Sequence, residues 1–233
     1  MSARIGITSP WWFTDRLFRK YLKRCVPYLT GRLLDAGCGA QPYRNMFRCE
    51  EYVGMEMSER FKPDILGDVR HMDAIGSESF DSVLSNQVLE PVDDVEAAVA
   101  EMHRVLKPGG CLCVSVPFIG RLHGMPHDYW RFSISGVRHL LEKHGFEVAF
   151  IEPMGGFLTT MCYLWNFHLY ERTRKCAVAR CLCRALMTAL NPLSLLLHRL
   201  DRDETTPFNY VAVARKREKT DPVSSAVGSA PDG

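Results

Sequence analysis

No uncharged apolar run in this 233-residue chain reaches the ~18 residues needed to cross a bilayer, so no membrane span is expected. Lysine and arginine number 29 against 27 acids and form no massed block, which argues against a dedicated nucleic-acid binder. No apolar leader is apparent at the N-terminus, where Trp11 and Trp12 are followed by charges, so a cytoplasmic protein with reduced thiols is expected. Nine cysteines are present, but Cys111/Cys113 and Cys181/Cys183 are each separated by one residue. That spacing fits neither a zinc site nor a redox pair, and the cysteines are read as small apolar residues. No cluster of His, Cys and acids has metal-ligand spacing, and there is no internal repeat.

What is present centres on Arg32 to Tyr43, where Leu33 and Leu34 make a buried strand and Gly37 and Gly39 make a tight turn. Pro42 suits the first turn of a following helix. A glycine turn at the carboxyl end of a first strand brings backbone N–H groups close to a ligand. Upstream, Thr14 or Asp15 is placed to cap a helix with Leu17, Phe18, Tyr21 and Leu22 on one side and Arg16, Arg19, Lys20 and Lys23 on the other. Its apolar face is expected to pack on the sheet or close over the pocket.

Downstream, Glu51–Glu56 reads as a strand ending in a carboxylate, 17 residues after Gly39 and close to the ~20-residue offset of a ribose-binding acid. Ile65–Leu66 is a short strand followed by Asp68, and Ser79–Asn86 is a fourth that brings Asn86, Gln87 and Glu90 to the carboxyl edge. A helix from Asp93 or Asp94 to Leu106 ends at Pro108-Gly109-Gly110, and Cys111–Pro117 is a fifth strand. Ser135–His144 reads as a helix, Phe146–Ile151 and Phe208–Lys216 as the last two strands, and Phe157–Tyr170 and Cys176–Leu200 as apolar helices between them.

Leu33–Gly39, the acid Glu56, Phe80–Val83 and above all Glu101-Met102-His103-Arg104-Val105-Leu106-Lys107-Pro108-Gly109-Gly110 together resemble class I S-adenosylmethionine-dependent methyltransferases. The resemblance implies an α/β, Rossmann-like, doubly wound seven-stranded sheet with an antiparallel last strand, to which the two apolar helices add a helical insertion that the core family does not require. With the periodicity of the first helix and a tail rich in Ser, Pro, Gly and Ala, the chain is expected to divide into an N-terminal amphipathic helix in 1–31, a methyltransferase domain in 32–217 with the apolar insertion at 157–206, and a disordered tail at 218–233. The resemblance also implies that Asp35, Gly37 and Gly39 hold the methionine end of the cofactor, Glu56 the ribose, Asp68 the adenine side, and Asn86 and Gln87 the segment beneath the sulfonium. Two departures stand out: Gln41 occupies the place of a frequent third glycine, and Pro91 that of a usual histidine.

The run His127-Asp128-Tyr129-Trp130-Arg131-Phe132 resembles a signature of bacterial methyltransferases that modify polysaccharides or glycolipids. His127 with Asp128 is the first candidate for the base that takes a proton from the acceptor, and His123 the second. Tyr129 or Trp130 would stack on a sugar, and Arg131 would pair with an anion. The alternative is that Asp128 and Arg131 pin the loop while Trp130 fills the core. The expected activity is methylation of an oxygen on a small molecule, sugar or lipid-linked glycan, without nucleic acid. The apolar insertion is read first as a lid or homodimer surface, with peripheral membrane contact as the other reading. Two rivals are a nucleotide-dependent oxidoreductase, which the missing third glycine disfavours, and a catalytically weak interaction protein acting through the insertion.

Overall fold

The computed structural model describes residues 5–218. Helix α1 (Trp11–Cys25) precedes strands β1 (Arg32–Ala36), β2 (Glu51–Glu56), β3 (Ile65–Leu66) and β4 (Phe80–Asn86). Then come α2 (Val95–Val105), β5 (Leu106–Pro117), α3 (Ile134–Lys143) and β6 (Phe146–Met154). The helices α4 (Phe157–Thr173) and α5 (Ala177–Leu200) lead into β7 (Asn209–Lys216). The expected tail beyond residue 218 lies outside the described residues.

The seven strands form one sheet in the order β3-β2-β1-β4-β5-β7-β6. β7 runs antiparallel to both β5 and β6, while β1 to β5 pair in parallel. The order reverses between β1 and β4, and open α/β sheets bind ligands outside the carboxyl ends of the strands at such a switch.

The period-2 alternation of strand side chains sorts the core into two layers. Leu34, Val83, Leu112 and Ala212 pack with α2 and α3, as do Val114 and Ala214. Their neighbours Leu33, Leu84, Cys113, Val211 and Val213 face α1, with Phe13, Leu17 and Leu22. Asp94 caps α2 by accepting from the Ala97 N–H at 2.9 Å, and Ser133 caps α3 by accepting from Gly136 at 3.1 Å. All nine cysteines are free thiols.

The structure corrects several boundaries. Thr14 and Asp15 do not cap α1 but lie inside it, because Trp11 is anchored edge-on against Phe167 at 5.1 Å and the Trp11 N–H finds Ser9 Oγ. No α-helix follows the glycine turn, only a three-residue 3₁₀ turn at Arg44–Met46. Tyr43, Met46 and Phe47 bury themselves under α1 instead, with Arg19 of α1 donating to the Pro42 carbonyl at 3.3 Å. β5 starts at Leu106 and runs through Pro108-Gly109-Gly110. There the backbone passes so close to β4 that a Cβ on Gly110 would stand 2.9 Å from the Asp81 carbonyl oxygen.

Pro192 does not interrupt α5, which continues through it for 24 residues and is long and apolar enough, by length and composition, to cross a membrane. Its inner face is tied into the domain. Asn191 donates to the carbonyls of Ile7 and Ser9 at 2.6 and 2.9 Å and accepts from Asn166 at 3.2 Å. His198, held down at about 4 by burial and by Lys20, accepts from Lys20 Nζ at 2.8 Å and meets Thr159 at 3.1 Å.

Phe13 is completely buried in the layer beneath α1. Phe13→Ala should lower stability by about 3–5 kcal/mol in urea unfolding while the far-ultraviolet circular dichroism stays native.

Candidate active site

The turn after β1 is built by backbone contacts. The Gly37 and Cys38 N–H groups both donate to the Met55 carbonyl of β2 at 2.9 Å, and Gly39 donates to Glu56 Oε2 at 3.0 Å. Gly37 has φ +80°, and a Cβ there would stand 2.5 Å from Val88. At Gly39 a Cβ would meet nothing within 4 Å. The turn therefore presents open backbone to a cavity. Gln41, in the place of a third glycine, adopts the left-handed conformation a glycine would favour, with φ +52°. Gly54 makes room for its side chain, since a Cβ there would stand 2.5 Å from Gln41 Nε2.

The resulting cleft has a volume of about 500 Å³ and is bordered by Gly37, Glu56, Asp68, Gln87, Pro91 and His127 among others, within the size range of small-molecule and cofactor sites. Glu56 is held by three backbone donors: Gly39 on one oxygen, and Met57 at 3.0 Å and Ser58 at 3.3 Å on the other. A carboxylate oxygen so held still has acceptor capacity for a hydroxyl. Asp68 is gripped by Arg70 at 2.6 Å, which holds its carboxyl below the usual range. The open glycine backbone, the fixed acceptor Glu56 and the volume fit the cofactor the sequence resemblance implies.

Two residues expected at the cofactor stand back from the cleft. Asp35 is buried against β2, where it accepts from the Tyr52 hydroxyl. Burial drives its carboxyl up to about 7, a rise the Tyr52 hydrogen bond only partly offsets. Asn86 turns to β5 and accepts from Ser115 Oγ at 2.7 Å. Gln87 takes φ +56° and donates through Nε2 to the same Ser115 hydroxyl at 3.2 Å, which leaves it on the cleft wall.

Gln87 also borders a second cavity of about 260 Å³. Its walls are aromatic, with Trp11 and Phe18 from α1, Tyr163 and Phe167 from α4, and Phe208 before β7; Glu90, Arg121, His123 and Arg131 supply the charge. Glu90 is 5% exposed, and its Oε2 has no hydrogen-bond partner. Burial pushes its carboxyl up to about 7. His123 Nε2 lies 4.0 Å from Glu90 Oε1.

His127 and Asp128 are adjacent in sequence but do not form a pair. Asp128 turns inward to Arg131, at 2.6 and 2.9 Å, and accepts the His123 N–H at 2.9 Å. The Arg131 guanidinium holds Asp128 down at about 2. His127 sits at the mouth of the cofactor cleft, with Nδ1 3.1 Å from the Tyr129 hydroxyl. Trp130 pins the loop by donating to the Val92 carbonyl at 2.7 Å, and the N–H groups of Tyr129 and Trp130 both donate to the Glu90 carbonyl. Asp128, Trp130 and Arg131 thus anchor the loop, while Glu90 and His123 face the chamber. Sequence reasoning put Glu90 at the sheet edge facing the reacting centre but gave it no role there. Its signal was a carboxyl just past the end of β4, in a Leu-Glu-Pro run where a free surface charge has no reason to be buried.

Residues 34–114 match a family described as a methyltransferase domain. A curated relative, the malonyl-(acyl-carrier protein) O-methyltransferase of Serratia marcescens, is 30% identical over 121 residues, covering 47% of this chain and 46% of the relative. The chain spans about half the length of the curated relatives it matches. Among solved structures, a SAM-dependent methyltransferase from Archaeoglobus fulgidus superposes with TM-score 0.56 at 18% identity, covering 86% of this chain and 94% of that one. The (4+2)-cyclase SpnF superposes with TM-score 0.60 at 20% identity, covering 92% and 85%. The fold is that of the Rossmann-like class I enzymes. Within that fold, the stretch 34–114 is similar in sequence to a methyltransferase domain.

The fold raises both Asp35 and Glu90, so it binds their protons more tightly than the unfolded chain does. The stability this contributes is complete below the ordinary carboxylate range and is lost as pH rises through about 7. Asp35→Asn should therefore gain stability relative to wild type as pH rises from about 4 to about 8, read as the difference in urea midpoints.

Proposed function

We propose that the protein transfers a methyl group to an oxygen of an acceptor held in the aromatic chamber, the acceptor being a small molecule, sugar or lipid-linked glycan. The observation that carries this reading is Gln87, which borders both cavities, so that a cofactor in the cleft and an acceptor in the chamber would meet across one residue. The curated relative's name describes an O-methyltransferase, which supports oxygen as the attacked atom.

When bound, S-adenosylmethionine supplies an electrophilic methyl on a sulfonium. Gly37, Gly39, Glu56, Asp68 and Gln87 would hold it. The chain's own task is to position the acceptor oxygen and to take its proton. Holding two reactants in line can contribute ~7–11 kcal/mol. The unpartnered Glu90 Oε2, facing an apolar chamber, is suited to accept a hydrogen bond from an acceptor hydroxyl and then its proton. His123, between Glu90 and Asp128 at 4.0 and 3.8 Å, is placed to receive that proton onward. His127, at the cofactor mouth and without a carboxylate partner, is the weaker candidate.

Calorimetric titration of the purified protein with S-adenosylmethionine and S-adenosylhomocysteine tests the cofactor. Saturable binding is expected, weakened about 10- to 100-fold by Glu56→Ala, as for loss of a hydrogen bond to a charged group. A folded protein that binds neither compound would overturn the reading in favour of an interaction protein. Glu90→Gln should leave both affinities unchanged while slowing transfer by ~10²- to 10⁴-fold. Wild-type turnover should rise with pH through about 7, where Glu90 ionises.

A further inference from the structure

Half of the exposed large apolar side chains among the described residues lie on the α4–α5 hairpin. On α5 they are Val178, Leu182, Leu186, Leu193, Leu196 and Leu200, spaced by three, four or seven residues along most of the helix. Leu182 and Leu200 are 67% and 65% exposed. This stripe lies opposite the face that Cys183, Met187, Asn191, Ser194 and His198 bury against the domain. α4 adds Phe157, Met161 and Trp165, the last 60% exposed.

The charge on this hairpin is predominantly of one sign. Between residues 157 and 200 there are Arg172, Arg174, Lys175, Arg180, Arg184 and Arg199 against the single acid Glu171, which is engaged with Arg121 and Arg174. α5 itself contains no acid. A two-fold contact between copies pairs a patch with itself, so joining two such faces would bring arginines against arginines with no carboxylate on α5 to separate them. An anionic lipid surface answers both features: acyl chains take the leucine stripe, and phosphates take the exposed guanidinium groups beside it, Arg172 on the Met161–Trp165 face of α4 and Arg199 on α5. Trp165 suits the boundary between the two.

We infer that the outer face of the α4–α5 hairpin docks on an anionic lipid bilayer, with α5 lying in the interface and not crossing it. The polar inner face of α5, bonded through Asn191 and His198 to the N-terminal segment and α4, fixes the helix to the domain and leaves only the opposite stripe for lipid. The docked face leads toward the chamber. An apolar surface groove of about 420 Å³ along α4, lined by Met161, Leu164 and Trp165, shares Arg121 and Phe167 with the acceptor cavity. Resting on the methyltransferase reading, this gives a membrane-borne acceptor a route along the groove into the chamber.

The test is co-sedimentation of the full chain with vesicles of phosphatidylcholine alone and of phosphatidylcholine with phosphatidylglycerol. Binding is expected to the anionic vesicles, to fall as salt is added, and to drop by about 10-fold or more in Leu182→Glu/Leu186→Glu. Arg172→Glu, which leaves the apolar stripe intact, should weaken anionic binding alone. Both substitutions fall on exposed positions and should leave the melting temperature and S-adenosylhomocysteine affinity unchanged. Absence of vesicle binding, or binding indifferent to both variants, would overturn the proposal. A dimer on gel filtration that Leu182→Glu/Leu186→Glu dissolves would overturn it by naming a second copy as the occupant. Vesicle binding needs no cofactor, so a protein that sediments with lipid yet fails the calorimetric titration would sink the activity and the acceptor route and leave the docking intact.

Discussion

The site depends on a short bridge between the ends of β1 and β2. One carbonyl, that of Met55, receives two successive N–H groups from Gly37 and Cys38, and the next donor, Gly39, reaches the Glu56 side chain. The turn can follow this path because Gly37 and Gly39 tolerate positive φ. Once it is set, the β2 carboxylate is fixed at the cleft wall and the β1 turn lies beside Val88 and Gln87 beyond β4. Strand register and ligand geometry are thereby the same constraint.

The loop after β5 is held by contacts that look catalytic in the primary structure. Asp128 and Arg131 neutralise one another in a half-buried pair, and the backbone of Tyr129 and Trp130 hangs from the Glu90 carbonyl. Glu90 therefore serves the loop through its main chain while its side chain faces the chamber with one oxygen unpartnered. An uncompensated buried acceptor is costly, and a ligand hydroxyl would relieve that cost.

Much of the sheet was legible from local pattern. Paired apolar residues such as Leu33-Leu34 and Leu112-Cys113 announce strands buried on both faces, and the acid-led segment with its apolar residues on one face announces α2. The glycine turn and Glu56 could be placed at one cleft because they stand at local, countable offsets. The acceptor side was not legible in this way. Adjacency of His127 and Asp128 suggested a pair, but side chains at neighbouring loop positions diverge, and Asp128 found Arg131 at 2.6 Å instead. The start of α1 was obscured for a related reason, since its anchor, Trp11 against Phe167, spans most of the chain's length. The insertion's leucines revealed a helix but not which of its faces would be left uncovered.

The two cavities also differ in where their walls come from. Gly37, Glu56, Asp68 and Gln87 all fall within the stretch 34–114 that matches the methyltransferase family. Every aromatic wall of the acceptor chamber, namely Trp11, Phe18, Tyr163, Phe167 and Phe208, comes from outside it. Drift in the flanking segments can therefore reshape the aromatic chamber while the cleft stays constant. On the proposed reading, recognition of the acceptor and handling of the methyl donor would be written in separate parts of the gene.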